Sequence, residues 1–126
     1  MGAVQKSQTT SNTPPPATLG ATGLPAAAIT AIQAVLASHP QVERAVLYGS
    51  RALGRQREAS DIDLTLIGSD LNNASLARID ADLDDLLLPW VIDLSAFSSM
   101  GHPALLDHIQ RVGVVLYQRQ GLGTLR

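Results

Sequence analysis

Hydrophobic residues recur along this chain in two rhythms, and the switches between them mark out its elements. Ile29, Ile32, Val35 and Leu36 fall at three- and four-residue steps among alanines until His39-Pro40, which predicts an amphipathic helix beginning near Leu24. Arg44-Ala-Val-Leu-Tyr48 is a short apolar run ending at Gly49, the profile of a buried strand that delivers the chain to a turn. Ser50 to Gly54 is expected to open a short helix at that turn, and the polar stretch Arg55 to Ser60 an exposed loop. In Asp61 to Ile67 the period becomes two: Ile62, Leu64 and Leu66 alternate with Asp61, Asp63 and Thr65, and Gly68-Ser-Asp70 closes the strand.

Helical spacing returns at Leu76, Ile79, Leu83, Leu86 and Leu87, with Arg78, Asp80, Asp82, Asp84 and Asp85 forming a solvated face. Trp90-Val-Ile-Asp-Leu94 predicts a third strand, interior to the sheet by its apolar flanks. Pro103 opens a last helix through Leu105, Leu106, Ile109 and Val112, and Val114 to Tyr117 a last strand. Helices and strands in this order predict an α/β or α+β fold with helices packed mainly on one side of the sheet.

Length sharpens this picture. Residues 1–22, rich in Ser, Thr, Gln, Pro and Gly, show neither period and are expected to form a flexible tail. The expected domain spans 23–118, with 119–126 as a C-terminal tail, so about a hundred residues remain for one core and none for a second domain. The net charge of -2 gives no basic field, so no direct nucleic-acid binding is expected. The absence of cysteine excludes disulfides, thiolate-bound zinc and thiol nucleophiles. One Lys in the first forty residues, no apolar leader and no apolar run near the roughly 20 residues of a membrane span predict a cytoplasmic protein without membrane contact.

Candidate chemistry gathers at three places. Gly49-Ser50, at a strand end, lets backbone N–H groups approach phosphates closely. The stretch Gly49-Ser-Arg-Ala-Leu-Gly54-Arg55-Gln56 has two glycines at Walker A separation, but Arg55 and Gln56 stand where that motif needs Lys and a hydroxyl, so it is not a P-loop. After ten intervening residues Ser50 is followed by Asp61 and then Asp63, which point the same way on a strand with Cα atoms about 6.5–7 Å apart. Two such carboxylates are tolerated if they face water or bind a cation, and oxygen ligation without Cys suits Mg²⁺ or Mn²⁺. Asp93 adds a third carboxylate if its strand neighbours that of Asp63; otherwise it pairs with Arg44, Arg51 or a helix end. His39, His102 and His108 are assigned to helix ends and an exposed helical face, outside the chemistry.

Gly49-Ser-Arg-Ala-x-Gly54, Ser60-Asp-Ile-Asp-Leu64 and the later apolar-Asp-apolar strand, in that order, resemble the DNA polymerase β-like nucleotidyltransferases, in particular their minimal single-domain members. Leu88 to Leu94 and Ile109 to Tyr117 extend the resemblance over roughly residues 40–118, while Leu53 departs from it where many relatives carry a polar or basic residue. The resemblance implies a small nucleotidyltransferase fold with a mixed central sheet. It implies two Mg²⁺ ions on Asp61, Asp63 and Asp93, with Mn²⁺ as the alternative. Gly49 and Ser50 would hold the nucleotide, and ATP would be the substrate. Guanidinium forks suit phosphate oxygens, so Arg51 is expected at the nucleotide too, while Arg55 and Arg57 either steer its phosphates or serve surface solubility. The expected reaction moves AMP onto a hydroxyl. Because the chain has no acceptor domain, the acceptor is expected on a helical HEPN-type partner, in a toxin–antitoxin pair. The alternative is a non-catalytic nucleotide-binding subunit that neutralises such a partner by binding alone; transfer to a small molecule such as an aminoglycoside ranks last.

Overall fold

The computed structural model describes residues 22–57 and 59–119, so the expected tails fall almost wholly outside it. Helix α1 (Ala26–Ala37) buries Ala28, Ile32 and Leu36 at four-residue steps. It ends where the Ser38 hydroxyl donates to the Val35 carbonyl, just before Pro40 forbids another turn. Strand β1 (Arg44–Tyr48) is buried through its three central residues. Strand β2 (Ile62–Ile67) starts one residue later than the alternation suggested, leaving Asp61 just outside it. Helix α2 (Asn73–Asp84) begins at a capping box in which Asn72 and Ser75 satisfy each other's backbone N–H groups. Strand β3 (Ile92–Ala96) leads into a single 3₁₀ turn, Phe97–Ser99. Helix α3 (Pro103–Val112), with Pro103 in its first turn, and strand β4 (Val114–Gln118) complete the fold.

The sheet order is β3-β2-β1-β4. β1 runs antiparallel to both β2 and β4, and β2 runs parallel to β3. The mixed sheet is therefore as expected, but among the described residues β3 is an edge strand and not an interior one. Its central residues explain the error: Ile92 and Leu94 are partly buried against α2, an apolar pattern that a one-sided edge strand can share with an interior one.

One face of the sheet, formed by Ala45, Leu47, Ile62, Leu64, Leu66 and Leu116, packs against Ile32 and Leu36 of α1 and Ile79 and Leu83 of α2. Helix α3 meets the other face. Its terminal Gly113 lies so close to Val46 Cγ1 and the Ile109 carbonyl that no side chain fits there. Ties at the periphery hold the frame. Gln33 donates to the Leu116 carbonyl at 2.8 Å, and His39 pairs with Asp82 of the otherwise solvated acidic face at 2.7 Å. Arg119, placed by sequence in a tail, donates to the Val42 and His39 carbonyls, and Thr22 at the other expected boundary is buried. Among the described residues no helix is long and apolar enough to cross a membrane.

Candidate active site

Because side chains alternate across a strand, the residues between those of the core form a second row on the opposite face. On β2 these are Asp63 and Thr65. Register places Tyr48 and Val46 of β1 beside them on one flank, and Asp93 and Ser95 of β3 on the other. Asp63 and Asp93 thus stand side by side on adjacent strands, separated by about 4.8 Å of backbone spacing. Asp61, exposed, precedes them by one turn of the pleat. Asp63 and Asp93 are thus brought to one face at one end of the sheet, and Asp61 lies near enough for its charge to act on Asp63.

Their proximity is felt electrostatically. The Asp63 carboxyl is held above the ordinary carboxylate range, first by its partial burial and then by the charges of Asp93 and Asp61. Tyr48, a residue sequence reading left inside a strand, shares the site: burial raises its phenol above the usual value and Asp63 and Asp93 add to the rise, while Ser95 offsets part of it. The Ser95 hydroxyl is itself buried without a fully formed hydrogen bond. Strand register would have exposed Tyr48 as a neighbour of Asp63, but the pairing of β1 with β2 is not visible in either segment alone.

Gly49 follows Tyr48 with φ +77°, a conformation that L side chains avoid. A Cβ there would collide with the Asp63 carboxylate, so this glycine is required twice, by its backbone and by its neighbour. The expected short helix after it is instead a compact hydrogen-bonded turn: Leu53 N–H donates to the Gly49 carbonyl at 3.2 Å, Gly54 to Arg51 at 3.3 Å and Arg55 to Ser50 at 2.9 Å. The Ser50 N–H and hydroxyl take no part in these bonds, and Ser50 remains partly accessible. A second glycine with positive φ, Gly54, ends the turn and prevents a helix from propagating.

Arg51 is not where a phosphate clamp would be. Only 2% exposed, it donates from Nε and Nη2 to the Ser60 carbonyl at 3.1 and 2.8 Å and from Nη1 to the Thr22 carbonyl at 2.7 Å. Its guanidinium lies 5.6 Å from the centre of the Trp90 ring. The planar fork that suits a phosphate here fastens the turn to the loop ahead of Asp61. Arg55 and Arg57 are exposed. His108, expected on an exposed face, is half-buried and accepts the Gly49 N–H at Nε2, 3.2 Å away. Its spacing on α3 gave no signal of this contact, which arises only because α3 folds across the site face.

A donor set of oxygens alone, with like charges crowded enough to raise one carboxyl, fits a hard divalent cation. As they stand, however, no three such side chains among the described residues converge into a metal cage. Asp93 also lines a groove of about 330 Å³ between α2 and β3, with Leu76, Ala77, Asp80, Ile92 and Leu94. A larger groove of about 830 Å³ follows α1 and β4 at the far edge of the sheet, away from the carboxylates.

No curated protein matches the chain in sequence. Its fold is nevertheless shared with solved structures. It is similar to a chain from a toxin–antitoxin structure with AMP-PNP (25% identity, TM-score 0.61, covering 77% of this chain and 78% of that one). It is also similar to a chain from a complex of an MNT antitoxin with a tri-AMPylated Shewanella oneidensis HEPN toxin (22%, 0.56, 79% and 76%). A third likeness is to a Sulfolobus solfataricus protein assigned as a nucleotidyltransferase (17%, 0.51, 84% and 87%). The sequence match is specific at the level of family. Residues 30–121, which contain the glycine turn, the three aspartates and helix α3, match the profile of Polymerase beta, Nucleotidyltransferase, and the chain belongs to that family.

Proposed function

We propose that this protein transfers AMP from ATP to a hydroxyl on a helical HEPN-type partner, and acts as the antitoxin of that partner. The observation that carries the reading is the in-register placement of Asp63 beside Asp93, with Asp61 preceding them and the Gly49–Ser50 turn in contact with Asp63. The relatives from a toxin–antitoxin structure with AMP-PNP and from a complex with an AMPylated toxin support the choice of nucleotide and partner.

In this reading the Ser50 N–H and hydroxyl bind the phosphates, and Asp61, Asp63 and Asp93 would hold Mg²⁺. The metal, when bound, neutralises phosphate charge and favours ionisation of the attacking hydroxyl. The acceptor oxygen attacks the α-phosphorus in line, the bond from phosphorus to the α,β-bridging oxygen breaks, and pyrophosphate leaves with that electron pair. Asp93, exposed on the edge strand beside Asp63, takes the hydroxyl proton. Gly49, lacking a side chain, lets the phosphates and the Asp63 carboxylate sit against one backbone turn. Arg51 acts from behind, keeping the loop that ends in Ser60 at a fixed distance from the turn.

The test incubates the full-length protein with its helical genomic neighbour, radiolabelled ATP and Mg²⁺. Label should appear on the neighbour and vanish with Asp61→Asn combined with Asp63→Asn. Silencing of the partner that persists undiminished in the double variant would favour the alternative, stoichiometric neutralisation.

A further inference from the structure

We infer that His108 is a positioning residue for nucleotide binding: its imidazole, as a hydrogen-bond acceptor, holds the Gly49 peptide in the orientation the phosphate turn needs. The inference rests on the nucleotide-binding reading of that turn and adds to it a residue from a distant element. Since a backbone N–H can only donate, the 3.2 Å contact makes Nε2 of His108 the acceptor, with the ring proton on Nδ1. The peptide it grips is the one least able to hold itself. Gly49 has φ +77° and, being glycine, can reach the opposite sign of φ at little cost, so its peptide plane can turn over.

The imidazole selects one of these orientations and can do so because its own position is fixed. One residue further on, Ile109 is buried, and the helix ends at Gly113 in close contact with Val46 of β1, the strand that leads into Gly49. Strand and helix thus form a clamp whose free end is the turn. The gripped peptide joins Tyr48 to Gly49, and holding it while Gly49 keeps φ +77° fixes the direction in which the chain continues to Ser50. In the absence of the acceptor only a fraction of molecules would present the competent turn, and apparent nucleotide affinity falls by that fraction.

Equilibrium binding of Mg-AMP-PNP to the full-length protein by calorimetry tests this. Failure of the wild-type protein to bind would refute the nucleotide reading itself, not the role of His108. Given wild-type binding, His108→Phe, which keeps a ring but no acceptor, should raise Kd by about fivefold, the worth of one typical net hydrogen bond. His108→Gln, whose side-chain amide reaches the same place, should recover most of the affinity. In the transfer assay the Phe variant should raise KM for ATP while changing kcat less than twofold. A Phe variant that binds as well as or better than wild type overturns the proposal, as does a Gln variant no better than Phe. Should the Phe variant not fold, the wild-type protein decides: a ¹⁵N–¹⁵N coupling across the hydrogen bond from Gly49 N to His108 Nε2 is expected by NMR, and its absence overturns the assignment.

Discussion

The two faces of strand β2 make opposite contributions. Ile62, Leu64 and Leu66, wholly buried, meet α1 and α2, whereas Asp63, one residue from each of two of them, carries a charge its neighbours disfavour. The strand's even positions build the domain, and Asp63 on the opposite face uses that stability to stand beside Asp93. Residues adjacent in sequence should therefore respond to substitution in opposite ways.

The largest separation of the two faces is expected from the carboxylates. Asp61→Asn with Asp63→Asn should reduce AMP transfer by at least about a hundredfold, the scale of losing a principal electrostatic stabiliser, while leaving the melting temperature no lower than wild type. Unfolding of that variant would mean that the faces are not separable. Next, Leu64→Ala should destabilise the domain by about 2–5 kcal/mol in urea titrations, through loss of buried methyl groups and the cavity left behind.

Arg51→Lys, which preserves charge but not the fork, should cost about 1–3 kcal/mol and make the loop before Asp61 more susceptible to limited proteolysis. Retained affinity for nucleotide in excess would then place Arg51 behind the site and not in contact with phosphate. The smallest effect concerns the charge itself. A carboxyl whose folded pKa is raised favours folding only while protonated, and that contribution is lost as pH rises through the raised value. Asp63→Asn should accordingly raise the metal-free melting temperature by a few degrees at neutral pH, and the gain should fade in acid as wild-type Asp63 takes up its proton. A gain independent of pH would argue against like-charge crowding.

The same contrast governs what could be read in advance. The core face was legible because burial imposes a period: Ile32, Leu36, Ile79 and Leu83 fall on helical steps and Ile62, Leu64 and Leu66 on alternate positions. The three aspartates were legible because like charges two apart on a strand, and one amid Val91, Ile92 and Leu94, run against ordinary propensity. What escaped depends on pairing across distant segments. Tyr48 joins the carboxylates only through the register of β1 on β2, and His108 only through the crossing of α3. Arg51 was misplaced since a guanidinium near a glycine turn serves phosphate and carbonyl equally well, and only the fold reveals that the Ser60 and Thr22 carbonyls lie within its reach. The short helix after Gly49 failed for a local reason: Gly54 with positive φ stops it after one turn.

Strand β3 has one further consequence, for solubility. Being at the rim, it leaves one side of its backbone unpaired by any strand among the described residues, and Ile92 and Leu94 make it apolar enough to attract another strand. A charged residue at the middle of such a rim is what discourages copies of a protein from zipping together edge to edge. Asp93 therefore works against edge-to-edge pairing of copies from the same position that the proposed transfer assigns to the incoming hydroxyl, and neutralising it is expected to promote aggregation.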